Sequence, residues 1–295
     1  MIARFLRLTG ERPAAANGRD VNYGKKFIVE PGTKVRLDEL DPSYTGKHET
    51  EADASAEIAT DLERLEKLQY RLYAEHERSV LIVLQAADAA GKDGTVRHVF
   101  GAFNPQGASV RAFKVPTHEE AAHDFLWRVH AATPARGHIA IFNRSHYEDV
   151  LVARVHELVP EEVWSKRYDR INEFEKNLAQ AGTRILKFFL HISPDEQLRR
   201  FKKRLDDPQS WWKLNESDYT ERKYWAEYGK AYEDALERCS TKRAPWYVIP
   251  ADHKWFRNLA VARIVADTLD ELDLQLPKPA ADIDAIRRAY EEAAG

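Results

Sequence analysis

Cysteine and methionine are nearly absent from this chain, with one of each in 295 residues. The single Cys239 excludes a disulfide within the chain and any multi-cysteine metal site, and it fits a reducing compartment, so the cytoplasm is the expected location. No run of about 18 apolar residues occurs, which excludes a membrane-spanning helix, and no membrane partner is expected. The apolar start beside Arg4 and Arg7 is too short for a signal peptide. Neither charge is in excess: 45 Lys and Arg stand against 48 Asp and Glu, a formal net charge of −3. That balance argues against a protein that coats nucleic acid, so a polyanion site has to come from local clustering of Lys and Arg. What remains is the composition of an ordinary globular protein, 43% hydrophobic and 32% charged.

Residues 1–51 carry Gly10, Pro13, Gly18, Gly24, Pro31, Gly32, Pro42 and Gly46 among charged residues, which reads as an irregular arm. From Ala52 to Glu77 the leucine-rich positions Ile58, Leu62, Leu65, Leu68 and Leu72 fall on one helical face. Val80 to Gln85 is then a continuous apolar run of the kind buried on both faces of a parallel sheet. Further strands are expected at Val110–Phe113, His138–Phe142, Ile185–Ile192 and Trp246–Ile249, with helices between them. Helix signals include a capping box at Thr117 and Glu120, Pro160 at a first helical position, Gly182 as a stop, and Ser193, Pro194 and Glu196 as a helix start. The pattern predicts one α/β domain over residues 52–295, an open, mostly parallel five-stranded sheet with helices on both faces. A charged, aromatic helical insertion at about residues 194–232 overlies the strand ends. The last amphipathic helix is expected over Lys254–Leu272, and a surface helix over Asp282–Ala294. In such a sheet, ligands sit beyond the carboxyl ends of the strands.

The chemistry begins directly after the first strand, with Ala86-Ala87-Asp88-Ala89-Ala90-Gly91-Lys92-Asp93-Gly94. Gly91 and Lys92 match the phosphate-loop pattern GxxxxGK[ST], whereas Ala86 replaces the first glycine and Asp93 the hydroxyl. The strand–loop–helix order still aims the backbone N–H groups of Ala90, Gly91 and Gly94 at one point, and Lys92 adds a cation. Asp88 and Asp93 would repel a phosphate chain unless a cation lay between them, and Mg²⁺ is the simplest such cation. The third strand ends in Asn143-Arg144-Ser145-His146-Tyr147-Glu148. Arg144 suits charge stabilisation in a loose phosphoryl-transfer transition state, and Asn143 and Glu148 are further metal-ligand candidates. His146, lacking a partner set, is not read as a ligand. In the insertion, Arg199-Arg200-Phe201-Lys202-Lys203-Arg204 is a basic run extended by Lys213, Arg222 and Lys223, long enough to track a polyanion. Lys114 follows the second strand on the ligand side, while Trp127 and Arg128 read as packing and surface residues.

These residues resemble the polyphosphate kinase 2 family. The likeness is carried by the Asp88 to Gly94 loop, Asn104-Pro105-Gln106-Gly107, Phe113-Lys114 with Pro116-Thr117 and Glu119-Glu120, and His123-Asp124-Phe125-Leu126-Trp127-Arg128. It continues through Asn143 to Leu151 and the segment Arg199 to Trp212, covering about residues 53–270. The resemblance implies a three-layer α/β/α, thymidylate-kinase-like P-loop kinase fold with a helical lid, assembled as a dimer or tetramer. It implies Mg²⁺-dependent, reversible transfer between inorganic polyphosphate and AMP, ADP or ATP. Carried over by motif, Asp88, Lys92 and Arg144 are the central catalytic set, joined by Glu148, and the lid bases bind polyphosphate or nucleotide phosphates. The form Asn-Arg-Ser-His-Tyr-Glu is similar to the subgroup acting on both AMP and ADP, and Glu148 is the first candidate for acceptor choice. Two other readings stay open from the residues alone: a nucleoside or nucleoside-monophosphate kinase using ATP, and a non-catalytic polyphosphate- or nucleotide-binding module.

Overall fold

A computed structural model describes residues 21–295. Six strands form one sheet in the order β1-β6-β5-β2-β4-β3: β1 Ile28–Val29, β2 Ser79–Ala86, β3 Ala108–Ala112, β4 Ile139–Asn143, β5 Thr183–His191 and β6 Trp246–Pro250. Five of them are parallel and agree with the expected strands to within a few residues. The sixth, β1, pairs antiparallel with β6 through Ile28 and Val29. It corrects the expected count, and it comes from the arm read as irregular, which also carries the short helix Tyr23–Phe27. Two residues are too few to show a strand period, yet Phe27 and Val29 are fully buried and anchor the arm to the core.

β2 lies at the centre, flanked by β4 and β5. All of Val80 to Leu84 is inaccessible to solvent, and burial of such side chains stabilises by roughly 1.5–3 kcal/mol each. The helix Glu51–Glu75 starts at a capping box between Thr50 and Asp53 and ends where His76 turns left-handed. It packs against the helix Lys254–Asp270, which also touches β5 and β6. The helix Glu161–Gln180 lies against β5 and carries the helix Trp225–Cys239. The outcome is the three-layer α/β/α arrangement.

Several local expectations are refined. Thr117 and Glu120 make the capping box, and Gly182 adopts the positive φ of a helix stop. Pro160 is the N-cap residue itself, one position before the helix. Ser193 caps through the Glu196 amide, but the Glu196 carboxylate turns to Arg199 and Arg200 instead of completing a box. The helix Lys254–Asp270 is buried on most sides, being sandwiched between the sheet and the helix Glu51–Glu75, so it shows no simple polar face. The helix Ile283–Ala294 is exposed along its length. Residues 194–232 are helical and irregular by turns, running through Pro194–Asp206, Glu216–Thr220 and the start of Trp225–Cys239. Among the described residues no helix is long and apolar enough to cross a membrane.

Candidate active site

Ala86 closes β2 in register with Leu190 of β5, so that position is plain strand and needs no glycine. The chain then turns sharply, with Ala89 at φ 61 and Gly91 at φ 109, before the helix Lys92–His98. A left-handed alanine costs about 1–2 kcal/mol, a strain typical of ligand-binding loops. Gly91 suits this turn because φ 109 strains any L side chain, and a Cβ there would also lie 1.8 Å from Nη1 of Arg257. Lys92 is buried and donates through Nζ to the carbonyls of Ala86 at 2.8 Å and Ala87 at 3.4 Å. Burial lowers its pKa, opposed first by the Asp88 carboxylate.

Two arginines hold the loop from behind. Arg200 donates to the carbonyls of Ala89 and Ala90, both at 2.9 Å, and to those of Ala251 and Asp252. Arg257 donates to Ala90 at 3.1 Å.

The end of β4 faces this loop. Arg144 sits at φ 61, its amide donating to Leu84 of β2 at 3.1 Å. Its guanidinium donates to Asp88 Oδ1 at 2.9 Å and stands 3.9 Å from Glu148. Burial raises the Glu148 pKa, with Arg144 and Lys92 pulling the other way. Asn143 donates through Nδ2 to Asp93 Oδ1 at 2.6 Å. Asp88, Asp93, Asn143 and Glu148, the candidate metal ligands, thus come from the loop and helix after β2 and from the end of β4 and the turn that follows it. Hard oxygen donors of this kind suit Mg²⁺, which takes one or two carboxylates and completes its shell with phosphate and water. Among the described residues no group of three or more His, Cys, Asp and Glu could hold a metal on its own.

His146 and Tyr147, between Arg144 and Glu148, turn the other way. His146 Nε2 lies 3.4 Å from Glu175, and the Tyr147 hydroxyl donates to the same carboxylate at 2.9 Å. Lys187 of β5 donates to Glu175 at 2.5 Å, to the Tyr147 hydroxyl at 2.9 Å and to the carbonyl of Cys239 at 2.7 Å. This buried network fixes the turn that aims Arg144 and Glu148 at the loop.

A cavity of about 1110 Å³ opens beside Asp88, Arg144 and Glu148. Lid residues including Arg222, Tyr228 and Tyr232 form one wall, and Arg36 and Leu37 of the arm another. The expected basic residues of the lid divide. Helical geometry buries Arg200 and leaves Arg199, Lys202 and Lys203 outside. Arg200 is therefore not a member of an open track: Glu196 and four backbone carbonyls occupy its donors. Arg199 pairs with Glu196, and Arg204 with Asp218 at 3.6 Å. Lys203 and Lys213 are exposed. Arg222 donates to Gln197 Oε1 at 2.6 Å, and Gln197 Nε2 to the Asp88 carbonyl at 2.9 Å, a chain that ties lid to loop. Lys114 is exposed. Arg128, read as a surface ion, is buried, holding the Lys114 carbonyl at 2.8 Å, while Trp127, read as a packing residue, is exposed and stacks on His123. Sequence reasoning missed Gln197 and Arg257, though an arginine inside a largely apolar helix was a visible sign of the latter.

A sequence profile described as Polyphosphate kinase 2 (PPK2) matches residues 48–277. The chain belongs to the polyphosphate kinase 2 family. It is 52% identical over 256 residues to the AMP/ADP-polyphosphate phosphotransferase of Meiothermus ruber, covering 86% of this chain and 96% of that protein. It is 44% identical over 273 residues to the ADP-polyphosphate phosphotransferase of Rhodopseudomonas palustris, covering 86% and 92%. The crystal structure of Polyphosphate Kinase 2 from Arthrobacter aurescens TC1 superposes with a TM-score of 0.87 at 44% identity, covering 90% of this chain and 95% of that one. As a polyphosphate kinase 2 family member, the chain has the P-loop kinase fold that the strand and helix order implied.

Proposed function

We propose that this protein is a polyphosphate:nucleotide phosphotransferase that moves a phosphoryl group reversibly between inorganic polyphosphate and AMP or ADP. The observation that carries this reading is the meeting of Asp88, Arg144 and Glu148 at one cavity, directly beside the loop that holds Lys92, on a chain 52% identical to an AMP/ADP-polyphosphate phosphotransferase.

Exchange of one phosphoanhydride for another needs little covalent chemistry from the protein, so positioning and electrostatics suffice. Loop amides and the Lys92 ammonium hold the phosphate chain. The Arg144 guanidinium, fixed by Asp88, meets the charge that spreads over the equatorial oxygens of the transferring group. Asp88, with Asp93, Asn143 or Glu148 beside it, would hold Mg²⁺, which would neutralise charge between the two approaching anions. Glu148, at the cavity edge beside Arg144, bears on acceptor choice. Lys203, Arg204 and Lys213 guide the polyphosphate chain, and the lid wall keeps water from the transferring group.

The test offers purified protein Mg²⁺ and AMP or ADP together with polyphosphate or ATP as donor, and follows nucleotide products. Polyphosphate-dependent formation of ADP or ATP is expected. Donation by ATP alone would make the protein a nucleoside or nucleotide kinase, and binding without turnover a sensing module.

A further inference from the structure

Arg257 lies 167 residues along the chain from Ala90, yet its guanidinium is packed against the phosphate loop. It is 1% exposed. Its acceptors are neutral: Asn258 Oδ1, from Nε at 3.2 Å and Nη2 at 2.8 Å, and the Ala90 carbonyl. No carboxylate of the described residues acts on it; burial and then the neighbouring Arg200 push its pKa down to about 9, which leaves it cationic at neutral pH. Arg200, by contrast, has Glu196 at 2.6 Å as a counter-ion. A buried charge without a partner is unfavourable unless something compensates it.

The peptide joining Ala90 and Gly91 is trans, so its carbonyl and its N–H point in opposite directions. Arg200 and Arg257 together hold the carbonyl on the buried side. The Gly91 N–H is thereby directed away from the two guanidinium groups. The Arg257 guanidinium also occupies the space that a side chain at 91 would enter. We propose that Arg257 is a positioning residue of the phosphate loop: it fixes the Gly91 N–H toward the phosphate chain and holds a buried positive charge that the bound chain completes.

The inference rests on the loop's role in the proposed function. Its test uses the full-length protein and tripolyphosphate as probe, reading the melting temperature with and without probe, and the polyphosphate KM and kcat. Arg257→Gln keeps a donor for Ala90 but removes the charge. In that variant the free protein is expected to melt within a few degrees of wild type or higher. The tripolyphosphate-induced rise should fall below about half, and the polyphosphate KM should increase about tenfold with a smaller change in kcat. Arg257→Lys, which restores the charge, should recover most of the rise. An undiminished rise and unchanged KM in Arg257→Gln would overturn the proposal, even if the free protein melted lower, since that is the behaviour of a packing residue. If the glutamine variant does not fold, Arg257→Lys decides: a KM increase under about threefold supports the charge, and a loss of about tenfold or more refutes it. Failure of wild type to turn over polyphosphate would sink the proposed function instead, while a tripolyphosphate response lost in Arg257→Gln would still support the loop charge.

Discussion

Lys187 and Arg257 are buried to the same degree, at 0% and 1% exposure, and are held in opposite ways. Lys187 in β5 has the Glu175 carboxylate at 2.5 Å and two further oxygens, so its charge is answered within the fold. Arg257 has only neutral oxygens and stands against a loop whose proposed ligand is an anion. The difference teaches how to sort buried charges in this molecule. A charge paired by the protein orders the scaffold, here the Ser145–Tyr147 turn that carries Arg144, whereas a buried charge left without a counter-ion behind the phosphate loop is assigned to the ligand.

Lys92 gives the largest expected effect and the sharpest test of that division. Lys92→Ala should lower polyphosphate-dependent turnover by about 10³-fold or more, below detection as product, while leaving the denaturation midpoint close to wild type. A large loss of stability with near-normal turnover per folded molecule would move Lys92 into the same class as Lys187. The reverse is expected at the scaffold pair: Lys187→Met leaves Glu175 buried without its ammonium partner and should cost about 3–5 kcal/mol in urea unfolding. Lys187→Met combined with Glu175→Leu should recover most of that loss. Activity per folded molecule should fall far less in both than in Lys92→Ala; a loss of turnover in the double variant as large as in Lys92→Ala would break the contrast between scaffold and site.

The same pair has a pH signature. Burial raises the Glu175 carboxyl, but Lys187 and His146 outweigh it, so its pKa ends below the ordinary carboxylate range. Its stabilisation is therefore present above the unfolded-state pKa and lost as pH falls through the lower folded value. Unfolding between pH 5 and pH 3 should be less steeply pH-dependent in Glu175→Gln than in wild type, as measured by urea midpoints.

Arg144→Lys keeps a charge but loses the fork that reaches Asp88 and stands near Glu148. A drop in kcat of about 10² is expected, with little change in stability. The smallest effect belongs to the lid bases, exposed Lys203 and the half-buried Arg204. Neutralising Lys203 and Arg204 should raise the KM for long-chain polyphosphate by several-fold, affect nucleotide binding less, and flatten the salt dependence, as in other polyanion sites. Equal losses for both ligands would remove the track.

Much of this division was legible in the residues. β2, the Asp88–Gly94 loop and the Arg144 turn follow from a continuous apolar run, a Gly-Lys pair and a strand end, all local signals. The basic run Arg199–Arg204 was read correctly as a cluster but not in its orientation. A helical repeat of about 100° per residue splits such a run, and the burial of Glu196, Gln197 and Phe201 takes Arg200 inward with them. The strand Ile28–Val29 was hidden by its length, and the Lys187–Glu175 and Arg257–Ala90 contacts by the chain distance between partners. These are tertiary facts that no window of sequence contains. The near-neutral total of −3 conceals them equally, because paired and open charges count the same in a sum.

The most direct measurement of the central claim follows tripolyphosphate and AMP by ³¹P NMR with wild-type protein and with Lys92→Ala. Wild type should form ADP and pyrophosphate one for one, with orthophosphate release far slower, and Lys92→Ala should form neither at a measurable rate. Orthophosphate without ADP, or ADP formation surviving in Lys92→Ala, would contradict a phosphotransferase built on this loop.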